Sequence, residues 1–129
     1  MLIRPITRDE VEAARRLLAE SGWTRKVEDA AKFEQLIERS QVALVAVHDD
    51  KVVGFIRALT DGIFNGYISM MAVSKAHRGK GVGSALVREA MGTNTEITWV
   101  LRADRDGVTD FYKKLGFRLS HVAMERRRQ

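Results

Sequence analysis

Apolar positions recur along the chain first with a helical period, then in β-rich runs, and then alternately in both patterns. Ile3 to Ile6 predicts a short first strand, which Pro5 confines to an edge or a strand start. Thr7-Arg8-Asp9-Glu10 has capping-box spacing. The helix it opens carries Val11, Ala14, Leu17 and Leu18 on one face and ends at Ser21-Gly22. Val27, Ala30, Ala31, Phe33, Leu36 and Ile37 predict a second amphipathic helix. Val42–Val47 and Val52–Leu59 then flank His48-Asp49-Asp50-Lys51, the pattern of a hairpin. After turn signals at Asp61-Gly62 and Asn65-Gly66, Tyr67–Val73 reads as a third strand-like run. Val82–Met91 reads as a helix with Val82, Leu86, Val87, Ala90 and Met91 on one stripe. A strand at Ile97–Leu101, a short helix at Val108–Leu115 and a final strand at Phe117–Met124 complete the order βααβββαβαβ. That order describes an α/β domain with a mixed sheet. No repeat or Pro/Gly/Ser-rich linker interrupts it, so residues 1–129 are expected to form one domain.

Composition narrows the chemistry. The chain has no cysteine, so it offers no disulfide framework, zinc-thiolate site or cysteine nucleophile, which suits a reducing cytoplasm. The N-terminus lacks a secretory apolar run, and no apolar stretch approaches the ~18 residues of a membrane span. A soluble, cytoplasmic protein is the expectation. The formal net charge of +5 invites a nucleic-acid reading, but Arg126-Arg127-Arg128 supplies much of it and reads as a solvated terminus.

The densest chemical signal lies between the third strand and the Val82–Met91 helix. Arg78-Gly79-Lys80-Gly81-Val82-Gly83-Ser84 places glycines at every second position, where a Cβ would hold an anion away from the backbone. A helix starting there aims unpaired N–H groups and the positive end of its dipole at the same spot. The dipole contributes about 0.3–2 kcal/mol to an anion, and each charge-assisted hydrogen bond roughly 1.5–3 kcal/mol. The amides therefore outweigh Arg78 or Lys80 as single side chains. The turn is expected to bind a pyrophosphate; a flexible basic turn is the bland alternative. Its spacing fits neither a Walker A loop nor the dinucleotide fingerprint.

Arg78-Gly79-Lys80-Gly81-Val82-Gly83 resembles the Arg/Gln-x-x-Gly-x-Gly/Ala signature of the GNAT superfamily of N-acetyltransferases. Downstream, Phe111-Tyr112-Lys113-Lys114-Leu115-Gly116-Phe117 is similar to the family's Phe-Tyr-x-x-x-Gly-Phe segment. The resemblance covers nearly the whole chain. It implies a twisted central sheet, mixed but mostly antiparallel, flanked by about four helices, with two splayed strands forming the acyl-CoA wedge. The cofactor it implies is acetyl-CoA as co-substrate, with no metal. Its pantetheine arm would pair with main chain near Met71, Ala72 and Val73, as an added strand pairs with a sheet edge. Its pyrophosphate would lie on Arg78, Gly79, Lys80, Gly81, Val82, Gly83 and Ser84, with Lys114 able to reach a phosphate; for Lys114 a solvated helix lysine is an equal alternative.

The same resemblance makes Tyr112 the general acid that protonates the departing thiolate, since a phenol with a pKa of about 10 is neutral at pH 7. Phe111 and Leu115 are expected to face the core, leaving Tyr112 turned toward the cleft; a packing tyrosine is the alternative. Relatives often carry a carboxylate where this chain has Ser69 and Met70, so the amine's proton needs another route. Asp61, Tyr67 and a water chain are the candidates. Arg105 stands where relatives often place asparagine, and Asp106 reads as the N-cap of the short helix. Trp23, Thr24, Arg25, Thr60, Asp61 and Phe64 are expected around the acceptor. The family's C-terminal part often forms two strands and Phe117–Met124 suffices for one, so that edge is expected to be left short or completed by a second chain, as in a homodimer.

The leading expectation is an enzyme that moves acetyl from acetyl-CoA to a primary amine of a small molecule or protein, by direct attack in a ternary complex. A non-catalytic CoA-binding regulatory module is the alternative. A basic nucleic-acid-binding protein ranks below both, because a docking motif and an aromatic stacking platform are missing.

Overall fold

In the computed structural model, which describes residues 1–103 and 107–129, the strands are β1 (Leu2–Pro5), β2 (Val42–His48), β3 (Lys51–Thr60), β4 (Asn65–Val73) and β5 (Thr98–Leu101). The helices are α1 (Val11–Glu20), α2 (Thr24–Val27), α3 (Ala30–Glu38), α4 (Val82–Met91) and α5 (Val108–Lys113), with 3-10 turns at Arg8–Glu10 and Lys75–His77. The strands form one sheet in the order β1-β2-β3-β4-β5. The first three pairings are antiparallel and β4–β5 is parallel, the mixed α/β architecture expected. Among the described residues there are five α-helices rather than about four.

Local chemistry explains most boundaries. Asp49 and Asp50 both take positive φ, 49° and 61°, the conformation of a two-residue hairpin turn that matches the twist of its strands. His48 consequently pairs with Lys51 and fixes the β2–β3 register. Thr7 N–H donates to Glu10 Oε1 at 2.9 Å, and Arg4 holds the same carboxylate through contacts of 2.8 and 2.7 Å. The start of α1 is thereby tied to β1. The single second helix expected from Val27 to Ile37 is instead two. Asp29 accepts from Lys32 N–H at 3.0 Å, caps α3, and leaves Val27 buried at the end of α2.

The sheet buries both faces. Against one pack Val82, Leu86, Val87 and Ala90 of α4, meeting Ile56, Ala58 and Ile68. Against the other pack Ala14, Leu17 and Leu18 of α1 with Phe33 of α3, meeting Phe55, Met70 and Ala72. Each fully buried Val, Leu, Ile, Phe or Met side chain contributes roughly 1.5–3 kcal/mol.

The expected final strand is absent: residues 117–124 form no strand. Apolar residues at Phe117 and Leu119 and then at Val122 and Met124 fall out of phase, so no single face can be buried. Ser120 Oγ also accepts from Val122 N–H at 3.2 Å and Ala123 N–H at 3.1 Å, folding the segment into a turn. Val122 and Met124 are 90% and 98% exposed. Among the described residues, β5 therefore forms an open edge of the sheet.

Candidate active site

The last facing pair of β4 and β5 is Ile68 with Leu101. Beyond it β4 runs on to Val73 while β5 stops, so among the described residues Ser69–Val73 have β3 on one side and no strand on the other. The cause is local. Arg57 pairs with Met70 and Ala58 with Ile68, so Ser69 is an extra residue in β4, a bulge at the apex of the wedge. Met71, Ala72 and Val73, expected to meet an extended ligand, lie along this open stretch.

At its far end the chain makes the 3-10 turn Lys75–His77 and enters the Gly-rich segment. Gly79 and Gly81 take φ of 75° and 83°, which a residue with a Cβ rarely adopts, and nothing lies within 4 Å of where their Cβ atoms would stand. The first intrahelical bond of α4 runs from Ala85 N–H to Gly81 O at 3.0 Å. The amides of Val82, Gly83 and Ser84 therefore have no helical carbonyl ahead of them and remain as donors beside the open space. Such a cradle fits a pyrophosphate. The glycines divide the work more finely than expected. Gly79 and Gly81 serve the backbone, whereas a Cβ on Gly83 would lie 3.2 Å from Phe111 Cζ and 3.5 Å from Met71 Cε. Arg78 donates from Nε to Val73 O at 3.0 Å, closing the end of β4. Lys80 and Lys114 are both exposed.

Tyr112 is more deeply buried than expected, while Phe111 and Leu115 pack against the core as expected. It is the buried member of its helix, 7% exposed, while Phe111 and Leu115 are only partly covered. Phe117 N–H bonds to Tyr112 O at 3.1 Å and Gly116 N–H to Lys113 O at 3.1 Å, with Gly116 at φ 94°. This is a Schellman closure, and it folds Phe117 back over the helix. The Tyr112 ring thus sits edge-on between Phe111 and Phe117, at centroid distances of 4.9 and 5.4 Å. Burial pushes the phenol pKa up to about 12. Tyr112 also lines a groove of about 1020 Å³ between β5, α5 and the C-terminal segment. The N-cap expected at Asp106 lies outside the described residues, as does Arg105, and Gly107, at φ 80°, directly precedes α5.

Asp61 is committed elsewhere. Its carboxylate accepts from the N–H groups of Ile63, Phe64 and Asn65 at 2.8, 2.8 and 3.0 Å and from Asn65 Nδ2 at 3.0 Å. These bonds, led by Asn65, hold its pKa well below the usual carboxylate range. A group so engaged is a weak base and a strong loop clasp. It borders a hollow of about 550 Å³ with Thr60, Tyr67, Gln41 and Val100. Phe64 is exposed at this loop's tip. Trp23 precedes α2, with Lys26 Nζ 5.5 Å from its ring centroid.

One residue of this region escaped the sequence reading. Arg57 lies in the middle of β3, 7% exposed, donating from Nε to Ser40 Oγ at 2.6 Å and from Nη1 to Ser69 Oγ at 2.9 Å. The available signal was a lone cation inside the apolar run Val52–Leu59. Among the described residues no helix is long and apolar enough to cross a membrane.

The chain belongs to the GNAT acetyltransferase family: the family model of the acetyltransferase (GNAT) domain matches residues 39–119. It is 31% identical over 104 residues to the uncharacterized N-acetyltransferase ycf52 of Pyropia yezoensis, covering 74% of this chain and 58% of that protein. The chain thus spans less than two thirds of the length of that curated relative. Among solved structures, Ard1 from Thermoplasma volcanium is 27% identical with a TM-score of 0.76, covering 92% of this chain and 83% of that one. An aminoglycoside 6'-N-acetyltransferase complexed with coenzyme A is 26% identical with a TM-score of 0.58, covering 67% of this chain and 51% of that one.

Proposed function

We propose that the chain is an N-acetyltransferase that moves an acetyl group from acetyl-CoA to a primary amine by direct attack in a ternary complex. The observation that carries this is the open flank of β4, Ser69–Val73, running directly into a turn whose free amides suit a pyrophosphate. A strand edge and an anion cradle in line suit a ligand with an extended amide arm and a diphosphate. The family relationship and the coenzyme A complex of the aminoglycoside acetyltransferase support the same assignment.

In the reaction the amine nitrogen bonds to the thioester carbonyl carbon, the C–S bond breaks, and the sulfur leaves with the electron pair. Tyr112, raised to a pKa of about 12, is fully protonated at neutral pH and can supply a proton to that sulfur. The amine must shed its own proton. With Asp61 engaged by four N–H groups, we assign the route to Tyr67, which lines the hollow, and to solvent admitted there.

Thermal stabilisation by acetyl-CoA, followed by thiol release across a panel of amines, tests the proposal. At 100 times its dissociation constant a ligand adds about 2.7 kcal/mol of stability. A melting temperature unmoved by saturating acetyl-CoA would overturn it.

A further inference from the structure

Among the described residues, Arg57 is a buried cation without an anion. Its two hydrogen-bond partners, Ser40 and Ser69, are neutral, and among the described residues no carboxylate pairs with it. Desolvation accordingly lowers its pKa, partly offset by Tyr67 nearby. A guanidinium has five N–H donors in a planar fork, and Nη2 makes no hydrogen bond among the described residues. Removing a charge from water costs several kcal/mol unless a counter-charge is supplied. The described residues do not supply one.

The position of this cation is as informative as its isolation. Ser69, which accepts from Nη1, is the bulge residue immediately past the last β4–β5 pair, at the apex of the wedge. On β3, Arg57 shares a face with Phe55, which packs on Phe33 of α3, and with Leu59, which borders the hollow next to Tyr67. Ser40, its other partner, directly precedes Gln41, a further wall residue. The guanidinium is therefore held between Ser40, the neighbour of Gln41 in the wall of the hollow, and Ser69 at the wedge apex, beside the hollow and not among its lining residues.

We propose that Arg57 is a specificity residue for the acceptor, and that the preferred acceptors are amines carrying a carboxylate. The planar fork matches the two carboxylate oxygens, while Ser40 and Ser69 fix the plane of the guanidinium in advance. Asp61 does not compete for this role of counter-ion, since its oxygens are held by its own loop. This inference rests on the acetyltransferase reading, because it assigns the hollow to the acceptor.

The test compares acceptors matched in size that differ as carboxylate and carboxamide, with several methylenes between the amine and the group varied so that its basicity is unchanged, and with acetyl-CoA and thiol release as the readout. A charge-assisted hydrogen bond predicts that wild type favours the carboxylate about tenfold or more in kcat/KM. Arg57→Met should bring the ratio close to one, mainly through KM, and Arg57→Lys should keep part of the preference. Calorimetric binding of the same pair in the presence of coenzyme A reads the preference without turnover. A wild type that treats both members alike in rate and binding overturns the inference, even if Arg57→Met does not fold. A preference that survives in a folded Arg57→Met reduces Arg57 to a clip between Ser40 and Ser69. A protein stabilised by acetyl-CoA but indifferent to the carboxylate would sink this inference alone; no response to acetyl-CoA would sink the acetyltransferase reading.

Discussion

Gly83 and Phe111 touch: a Cβ on Gly83 would stand 3.2 Å from Phe111 Cζ, so the two segments that carry the family resemblance form one contact. The absent methyl lets α5 approach the first turn of α4. Gly83→Val should cost about 1–3 kcal/mol through overpacking. Phe111→Leu in the same chain should recover part of that loss. Urea unfolding of the four proteins in a double-mutant cycle measures it, and strict additivity would show that the contact carries no energy.

Gly81 calls for a different substitution logic. With φ at 83° and nothing within 4 Å of where a Cβ would stand, Ala would fit the space but not the backbone. Gly81→Ala is expected to lose about 1–2 kcal/mol of stability. It should also diminish the thermal shift produced by acetyl-CoA, because the amides of Val82 and Gly83 are aimed from this residue. An undiminished shift would separate the turn's conformation from ligand binding.

Tyr112 links pH to stability with a definite sign. Its folded pKa is about 12, above the unfolded value of about 10. The folded state keeps the proton that the unfolded state loses, so the stabilisation is complete below about pH 10 and disappears as pH rises toward 12. Tyr112→Phe should remove this alkaline component from the urea midpoint. In the acetyltransferase reading it should also lower kcat while leaving acetyl-CoA affinity nearly intact. Equal turnover by the two proteins would exclude Tyr112 as the acid.

The acid side is set by Glu10. The hydrogen bond from Arg4, with smaller contributions from Thr7, holds its carboxyl at about 2, against an ordinary 4.5. Its contribution is present above about pH 4.5 and is lost as pH falls toward 2. Glu10→Gln should flatten the stability profile over that window, as read by urea midpoints. An unchanged acid limb would mean that the Arg4–Glu10 pair is too well screened to matter.

Elements whose signals are local were legible in the sequence. The α4 stripe Val82–Ala90, the Asp49-Asp50 hairpin and the Gly116 terminus each depend on neighbouring residues, and each stands where the pattern places it. Positions set by distant contacts were less legible. The depth of Tyr112 follows from Phe117 folding back over the helix, a contact that helical phase alone does not encode. The bulge at Ser69 depends on the register between two strands, which no single strand encodes. Arg57 escaped the sequence reading because its partners, Ser40 and Ser69, belong to other elements. Phe117–Met124 failed as a strand because its alternation slips phase at Ser120, a break visible in the residues themselves.

A Cβ on Gly66 would come within 2.4 Å of Trp99 Cε3, so the indole lies flat against bare backbone where β4 meets β5. Gly66→Ala should therefore destabilise the fold by about 1–3 kcal/mol, and Trp99→Leu should relieve it, both measured by urea unfolding. Insensitivity of Gly66→Ala would show that Trp99 can swing away freely.

That junction also leaves β5 more weakly held than the centre of the sheet. Strands β1 to β4 zip through antiparallel pairs, whereas β5 joins in parallel only after the chain has crossed the whole of α4. It is held on one side, by the pairs from Asn65–Thr98 to Ile68–Leu101. In amide hydrogen exchange, β5 should lose protection before β3, buried at the sheet's centre. The wedge is thus bounded on one side by a short strand held by four pairs, and the β5 amides should exchange faster than those of β3.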